Sequence, residues 1–65
     1  MEPQIAKLYK GEDVVETLYF VGYNDTIDEI VVEPDGTMKV LFMKKLDSLN
    51  VGYFVYDKIT KIKFE

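Results

Sequence analysis

The sequence predicts a small all-β domain, and three observations support this prediction. The chain has 65 residues, enough for a single domain (residues 1–65) with one core. Hydrophobic residues make up 48% of it, including five tyrosines and four phenylalanines, which is too apolar for a disordered chain. Turn-forming residues divide it into five or six pieces of strand length. So many strands in so short a chain predict an antiparallel barrel, because only a closed or nearly closed sheet buries both faces.

The first two predicted strands lie on either side of a turn that contains Gly11. Residues 4–10 are compatible with a strand, and residues 14–23 are rich in β-branched and aromatic side chains. From Leu18 onward both faces of the second strand are apolar, which is typical of a central strand or of one half covered by a partner. Gly22 then predicts a bend or bulge.

The strongest local signal is the sequence Glu-Pro-Asp-Gly-Thr at residues 33–37. Proline sets φ at the first turn position, aspartate accepts hydrogen bonds within its own turn, and glycine adopts a positive φ. Apolar runs lie on both sides, at residues 30–32 and 38–43. This pattern predicts a β-hairpin with a type I turn and a glycine bulge.

The second strand of that hairpin predicts which side chains fill the core. Val40 and Phe42 share one face, and Lys39 lies on the other, so we expect the face of Val40 and Phe42 to be buried. Across the chain, six residues are expected to be mostly buried: Phe20, Ile30, Val40, Phe42, Phe54 and Ile62.

Residues 45–50 lack the alternation of a strand and predict one short helical turn. Leu46 and Leu49 are three residues apart, which suits such a turn. Residues 26–29 match a capping box, so a helical turn competes there with the start of a strand.

The last third of the chain predicts two more strands, residues 51–56 and 59–64, with a break between them. Residues 52–59 resemble the last strand, short turn and closing strand of small barrels. A small SH3-like barrel is therefore the first choice of architecture, and an OB-like barrel with shortened loops is the second.

The composition argues against most enzyme mechanisms. The chain has no His, Cys, Arg or Trp, and its four glycines are isolated, so it contains no glycine-rich phosphate loop. We predict no catalytic residue and no cofactor. We also predict no metal site, because the acids between residues 25 and 35 lack the spacing of a calcium loop.

The composition also favours a compartment and an origin. Without Cys there is no disulfide framework, so the cytoplasm is the expected location. No apolar run is long enough to cross a membrane or to act as a signal peptide. Eight lysines and no arginine suggest AT-rich coding DNA, as in a low-GC bacterium or its phage.

Charge is divided unequally along the chain, although the net charge is only −4. Residues 1–36 contain two lysines and nine acids, whereas residues 37–65 contain six lysines and three acids. A surface with two signs of charge is suited to steering and docking onto a partner.

Two tyrosines of the second strand form the predicted protein interface. Tyr19 and Tyr23 lie on the face away from Leu18, and if Leu18 fills the core they form an exposed aromatic patch. The acids expected around this patch are Asp25, Asp28 and Glu29. Ordinary packing of the tyrosines against the core is the competing interpretation.

A nucleic-acid surface is the alternative. Lysines combined with exposed aromatic side chains are typical of barrels that bind single strands. The candidate residues are Lys44, Lys45, Tyr53, Lys58, Lys61 and Lys63. Protection of exposed sheet edges explains the same lysines without any ligand.

The sequence therefore predicts a non-enzymatic binding module. Its expected role is that of a small cytoplasmic modulator, such as a phage or mobile-element accessory protein, that docks on a host protein. Self-association as a homodimer and nucleic-acid binding are the options left open.

Overall fold

The computed structural model describes residues 2–22 and 24–65, and these residues form six β-strands. In chain order they are β1 Ile5–Lys10, β2 Asp13–Tyr19, β3 Thr26–Val32, β4 Met38–Lys45, β5 Val51–Ile59 and β6 Lys61–Phe64. The prediction of an all-β domain is confirmed. Within these residues, no helix is long and apolar enough to cross a membrane.

The strands form two three-stranded antiparallel sheets. The first sheet has the order β2-β1-β6, and the second sheet has the order β3-β4-β5. The chain passes from the second sheet to the first at the junction of β5 and β6. Lys58, near the end of β5, has a φ of 58°, and the Thr60 N–H donates to the Tyr9 carbonyl at 2.8 Å. The described strands do not close into a barrel, so neither the SH3-like nor the OB-like architecture is confirmed.

The predicted hairpin is confirmed, and it joins β3 to β4. The Gly36 N–H donates to the Glu33 carbonyl at 3.0 Å, and Gly36 adopts a φ of 88°. The Asp35 carboxylate accepts the Thr37 N–H at 2.9 Å, as expected for an aspartate in this turn position.

The helical turn predicted near residues 45–50 is wrong. The Leu46 N–H donates to the Asn50 carbonyl at 2.9 Å, so these residues form a tight connection between β4 and β5. The Asp47 carboxylate accepts the N–H groups of Leu49 (2.8 Å) and Asn50 (2.9 Å). Aspartate satisfies the backbone of a loop in this way, and its side chain here replaces the hydrogen bonds of a helix.

The second helical alternative, at residues 26–29, is also wrong. Strand β3 begins at Thr26 and pairs with β4 from its first residue. Its register shifts between Ile27 and Glu29, so the feature that resembled a capping box is a bulge within a strand.

The core lies between the two sheets. The fully buried apolar side chains are Ala6, Leu8, Leu18, Val40, Phe42 and Ile59. The predicted facing of β4 is therefore confirmed, and Phe20 and Ile62 are half-buried against the same cluster. Ile30 and Phe54 were predicted to be buried, but they are 41% and 39% exposed. They lie on β3 and β5, the edge strands of the second sheet, where fewer neighbours cover a side chain.

Candidate functional site

The outer face of the second sheet is the side of β4 that points away from the core. Val40 and Phe42 are buried, so the alternate residues Leu41 and Met43 point outward. Residues directly opposite one another in an antiparallel pair share a face. Leu41 is opposite Val55 and Met43 is opposite Tyr53, so these β5 side chains also point outward.

This outer face carries apolar side chains on all three strands. We call it the apolar face and define it by Val31, Leu41, Met43, Val51, Tyr53 and Val55. Tyr53 is 73% exposed and Val55 is 59% exposed, although both lie in the middle of a regular strand. Val51 and Val31 are also exposed. Isolated apolar side chains on a surface are common, but a connected set of this kind is typical of a binding site.

A shallow pocket of about 120 Å³ lies next to the apolar face. Its lining comes from the middle of the second sheet: Asp28, Leu41, Phe42, Tyr53, Phe54 and Val55. Almost all of this lining is apolar, and Asp28 adds one carboxylate at the bulge of β3. A partner side chain that entered the pocket would meet an apolar wall with an acid at one side.

Charged residues of both signs border the apolar face on β3 and β4. Glu29 is opposite Leu41, Lys39 is opposite Val31, and Lys45 is opposite Val51. Lys39 Nζ lies 3.6 Å from Glu33 Oε1, so part of its charge is compensated within the chain. An apolar centre with a charged rim is the usual composition of a protein-binding surface.

The described residues of the predicted interface belong to both sheets. Tyr19 is 43% exposed and lies away from the buried Leu18, as expected, but it belongs to the first sheet. Asp28 and Glu29 are exposed on β3 of the second sheet. Tyr23 lies outside the described residues.

Asp25 was predicted to be a rim acid, and the structure corrects this. It is only 5% exposed, and its carboxylate accepts the N–H of Tyr19 at 2.9 Å and the N–H of Lys45 at 3.3 Å. A carboxylate that satisfies two backbone donors of different sheets has a structural role. Asp25 is therefore unsuited to contact a partner.

The lysines of the alternative nucleic-acid surface are distributed over both sheets. Lys44 Nζ lies 3.3 Å from Glu16 Oε1 and 3.5 Å from Asp25 Oδ2, and it donates to the Thr17 carbonyl at 2.9 Å. Its ammonium is thus engaged inside the protein. Lys45 and Tyr53 both belong to the outer side of the second sheet.

The other three lysines of that surface also have partners. Lys58 Nζ lies 2.9 Å from Asp35 Oδ2, and this hydrogen bond raises the pKa of Lys58. Lys63 lies 3.1 Å from Glu65, and Lys61 lies 4.3 Å from the centre of the Tyr9 ring. The ion pairs of Lys58 and Lys63 reduce the positive potential available to a phosphate backbone.

Ion pairs join the acidic and the lysine-rich halves of the chain. Among the described residues, five of the six ion pairs join a residue of 1–36 to a residue of 37–65. Four acids of the first half, Glu16, Asp25, Glu33 and Asp35, are thus paired with lysines of the second half.

The sequence contained one signal for the apolar face. Residues 51–56 have apolar or aromatic side chains on both sides of the strand. The end of the second predicted strand has the same pattern. The sequence predicts the interface at Tyr19 and Tyr23. In the structure, however, the side chain of Tyr53 is more exposed than that of Tyr19.

Within residues 2–22 and 24–65, no group of three or more His, Cys, Asp or Glu side chains is arranged to hold a metal ion. Comparison with protein families, with curated proteins and with solved structures finds no match.

Proposed function

We propose that this chain is a non-enzymatic protein-interaction domain that binds its partner through the apolar face of the second sheet. The observation that carries the proposal is the exposure of Tyr53 (73%) and Val55 (59%) within one connected apolar surface. A partner that covered these side chains would gain about 25 cal/mol of binding free energy for each Å² of apolar area removed from water. The bacterial or phage origin and the host partner remain predictions from composition.

Tyr53 is expected to contribute most to binding. Tyrosine combines a large apolar ring with a polar hydroxyl, and residues of this kind dominate the energy of many interfaces when they lie near the centre. Here Tyr53 is next to the pocket and has apolar neighbours on β4 and β5. The surrounding charges are expected to affect the rate of association and the choice of partner.

The size of the surface sets a requirement for the partner. A standard protein interface buries about 800 Å² on each side. This is roughly one sixth of the 4553 Å² surface of the described chain. A partner must therefore cover most of one side of the second sheet, including its charged rim.

Site-specific photocrosslinking tests the location of the interface. A photoreactive phenylalanine analogue replaces Tyr53 in one variant and Tyr19 in another, and each is exposed to a host lysate before irradiation. We expect the variant at residue 53 to crosslink a discrete protein, and the variant at residue 19 to crosslink it weakly. Equal crosslinking at both positions, or crosslinking only at residue 19, would contradict the proposal.

Salt dependence distinguishes protein binding from the nucleic-acid alternative. Binding to a mixed-sequence single-stranded DNA and RNA is measured by fluorescence anisotropy at low and at high salt. Phosphate binding weakens steeply with salt, whereas an apolar interface responds little. We expect no saturable binding to either nucleic acid. Saturable binding that is lost when Lys61 and Lys63 are replaced by Gln would favour the alternative.

A further inference from the structure

The outer edge of β5 has unpaired backbone groups and no charged side chains over most of its length. Strand β5 is at the end of the second sheet and pairs with β4 on one side. Among the described residues, no backbone hydrogen bond joins residues 51–57 to any strand other than β4. Every second N–H and C=O in this segment therefore points away from the sheet.

The other edge strands of the described sheets are protected in the usual way. Charged side chains or bulges on an edge discourage pairing with another strand. Strand β2 has Asp13 and Glu16, and β6 has Lys61 and Lys63. Strand β3 has two adjacent acids and a bulge.

Strand β5 lacks this protection. Its first six residues, Val-Gly-Tyr-Phe-Val-Tyr, contain no charge and no proline. Asp57 and Lys58 follow only at the end. An uncharged, regular edge of this length is a template for the addition of a strand.

We propose that a second copy of this chain pairs with β5, so that the two β5 strands run antiparallel in one continuous six-stranded sheet. The residues of β5 are compatible with two-fold symmetry about Tyr53. With Tyr53 opposite its own copy, Val51 is opposite Val55 of the other copy, and Gly52 is opposite Phe54. An interface between identical patches must be complementary to itself in this way.

The charges near β5 are compatible with this register. Asp57 and Lys58 lie beyond the paired residues 51–55, so the register opposes no two like charges. Pairing of two β3 edges would instead bring Asp28 and Glu29 of both copies together. Self-association is therefore directed to β5 rather than to β3.

The same symmetry gives the dimer a larger binding surface. A two-fold axis that relates neighbouring antiparallel strands is perpendicular to the sheet, so both apolar faces lie on the same side. The dimer presents one connected apolar surface with two copies of Tyr53 near its centre. The pairing uses the backbone edge of β5, and so it does not depend on the partner proposed above.

Sedimentation equilibrium of the purified chain tests for the dimer over concentrations from about 10 μM to about 1 mM. We expect the mass to rise from one chain to two. Tyr53→Lys and Val55→Lys should each weaken the dimer by about tenfold or more, because a lysine on the edge opposes pairing. The matched control is Val32→Lys, since Val32 is 71% exposed and lies on the other edge of the same sheet. A chain that is monomeric up to about 1 mM would overturn the proposal, and so would equal weakening by all three variants.

Single cysteines test the register, because the natural chain contains none. Tyr53→Cys should form a disulfide-linked dimer on mild oxidation. Val51→Cys mixed with Val55→Cys should give a linked hetero-pair more readily than either variant alone. Val32→Cys is the control for random collision. If Val32→Cys crosslinks as fast as Tyr53→Cys, β5 is not the dimer edge. Partner crosslinking is assayed separately, with the photoreactive analogue at residue 53 of the otherwise unchanged chain, so failure of the dimer is distinguishable from failure of the proposed function.

Discussion

The ammonium of Lys44 lies 3.5 Å from the carboxylate of Asp25, whose side chain is only 2% exposed. The same ammonium lies 3.3 Å from Glu16 on β2, although Lys44 itself belongs to β4. One lysine thus connects the two sheets through charged contacts at one end of the domain. Asp25 also accepts backbone N–H groups from both sheets, which makes this cluster a structural junction.

Replacing Lys44 should destabilise the fold. Lys44→Met leaves the buried Asp25 carboxylate without its cation, and removing one partner of a buried pair costs about 3 to 5 kcal/mol. Because Lys44 is 24% exposed and Asp25 keeps its backbone donors, we expect the lower end of this range. The control is Lys45→Met at the exposed neighbouring position, with a cost of about 0.5 kcal/mol or less. Urea unfolding measures the stability of both variants. Equal midpoints for Lys44→Met and Lys45→Met would contradict the structural role of the junction.

The β3–β4 turn should depend on the backbone conformation of Gly36. An added Cβ at Gly36 meets no atom within 4 Å, so any cost arises from its φ of 88° rather than from a clash. We expect Gly36→Val to destabilise the domain by about 1 to 3 kcal/mol. Gly36→Asn should cost clearly less, because asparagine tolerates positive φ. Thermal unfolding of both variants checks this order, and a Val variant as stable as the Asn variant would refute it.

Acid should weaken the hairpin through Asp35. Hydrogen bonds from Thr37, and then from Lys58, hold the pKa of Asp35 well below its ordinary value of 3.8. A carboxyl with a lowered pKa in the folded state stabilises the fold above its unfolded pKa, and this stabilisation is lost as the pH falls through the folded pKa.

The variant that tests this pH dependence is Asp35→Asn. We expect its unfolding temperature to lie below that of the wild type at neutral pH. The difference should shrink as the pH is lowered from about 5 toward about 2. If the difference in unfolding temperature stays constant over this range, the charge of Asp35 does not contribute to stability.

Reversing the acids near the apolar face should slow association. Asp28 lines the pocket and Glu29 lies beside Leu41, so both contribute negative potential near the proposed interface. With both changed to Lys, we expect slower capture of the crosslinked partner at low salt and a smaller effect at high salt. The control reverses Glu12 and Asp13, which are exposed at the start of β2. An equal effect from the control pair would indicate only a change in net charge.

Local chemistry explains which parts of the fold were predictable. The hairpin at residues 33–37 follows from a proline, an aspartate and a glycine whose preferences act within the turn itself. The burial of Val40 and Phe42 follows from alternation beside a lysine. Neither conclusion requires knowledge of distant residues, and the structure confirms both.

The features that were missed depend on contacts between distant segments. Ile30 has an apolar pattern like that of Val40, but its strand is at the edge of a sheet, which the pattern alone does not reveal. Asp25 is buried because backbone donors of Tyr19 and Lys45 converge on it, and these residues are far apart in sequence. The apolar face depends likewise on the pairing of three strands.

The most direct test of the central claim compares Tyr53 with Tyr19, which lie in different sheets. Affinity for the protein crosslinked at residue 53 is measured by calorimetry for Tyr53→Ser and for Tyr19→Ser. We predict that Tyr53→Ser weakens binding by about thirtyfold, as expected when a central aromatic side chain of an interface is removed. Tyr19→Ser should bind within about twofold of the wild type, since surface changes away from an interface have small effects. Loss of binding in Tyr19→Ser, with wild-type affinity in Tyr53→Ser, would contradict the assignment of the apolar face as the binding surface.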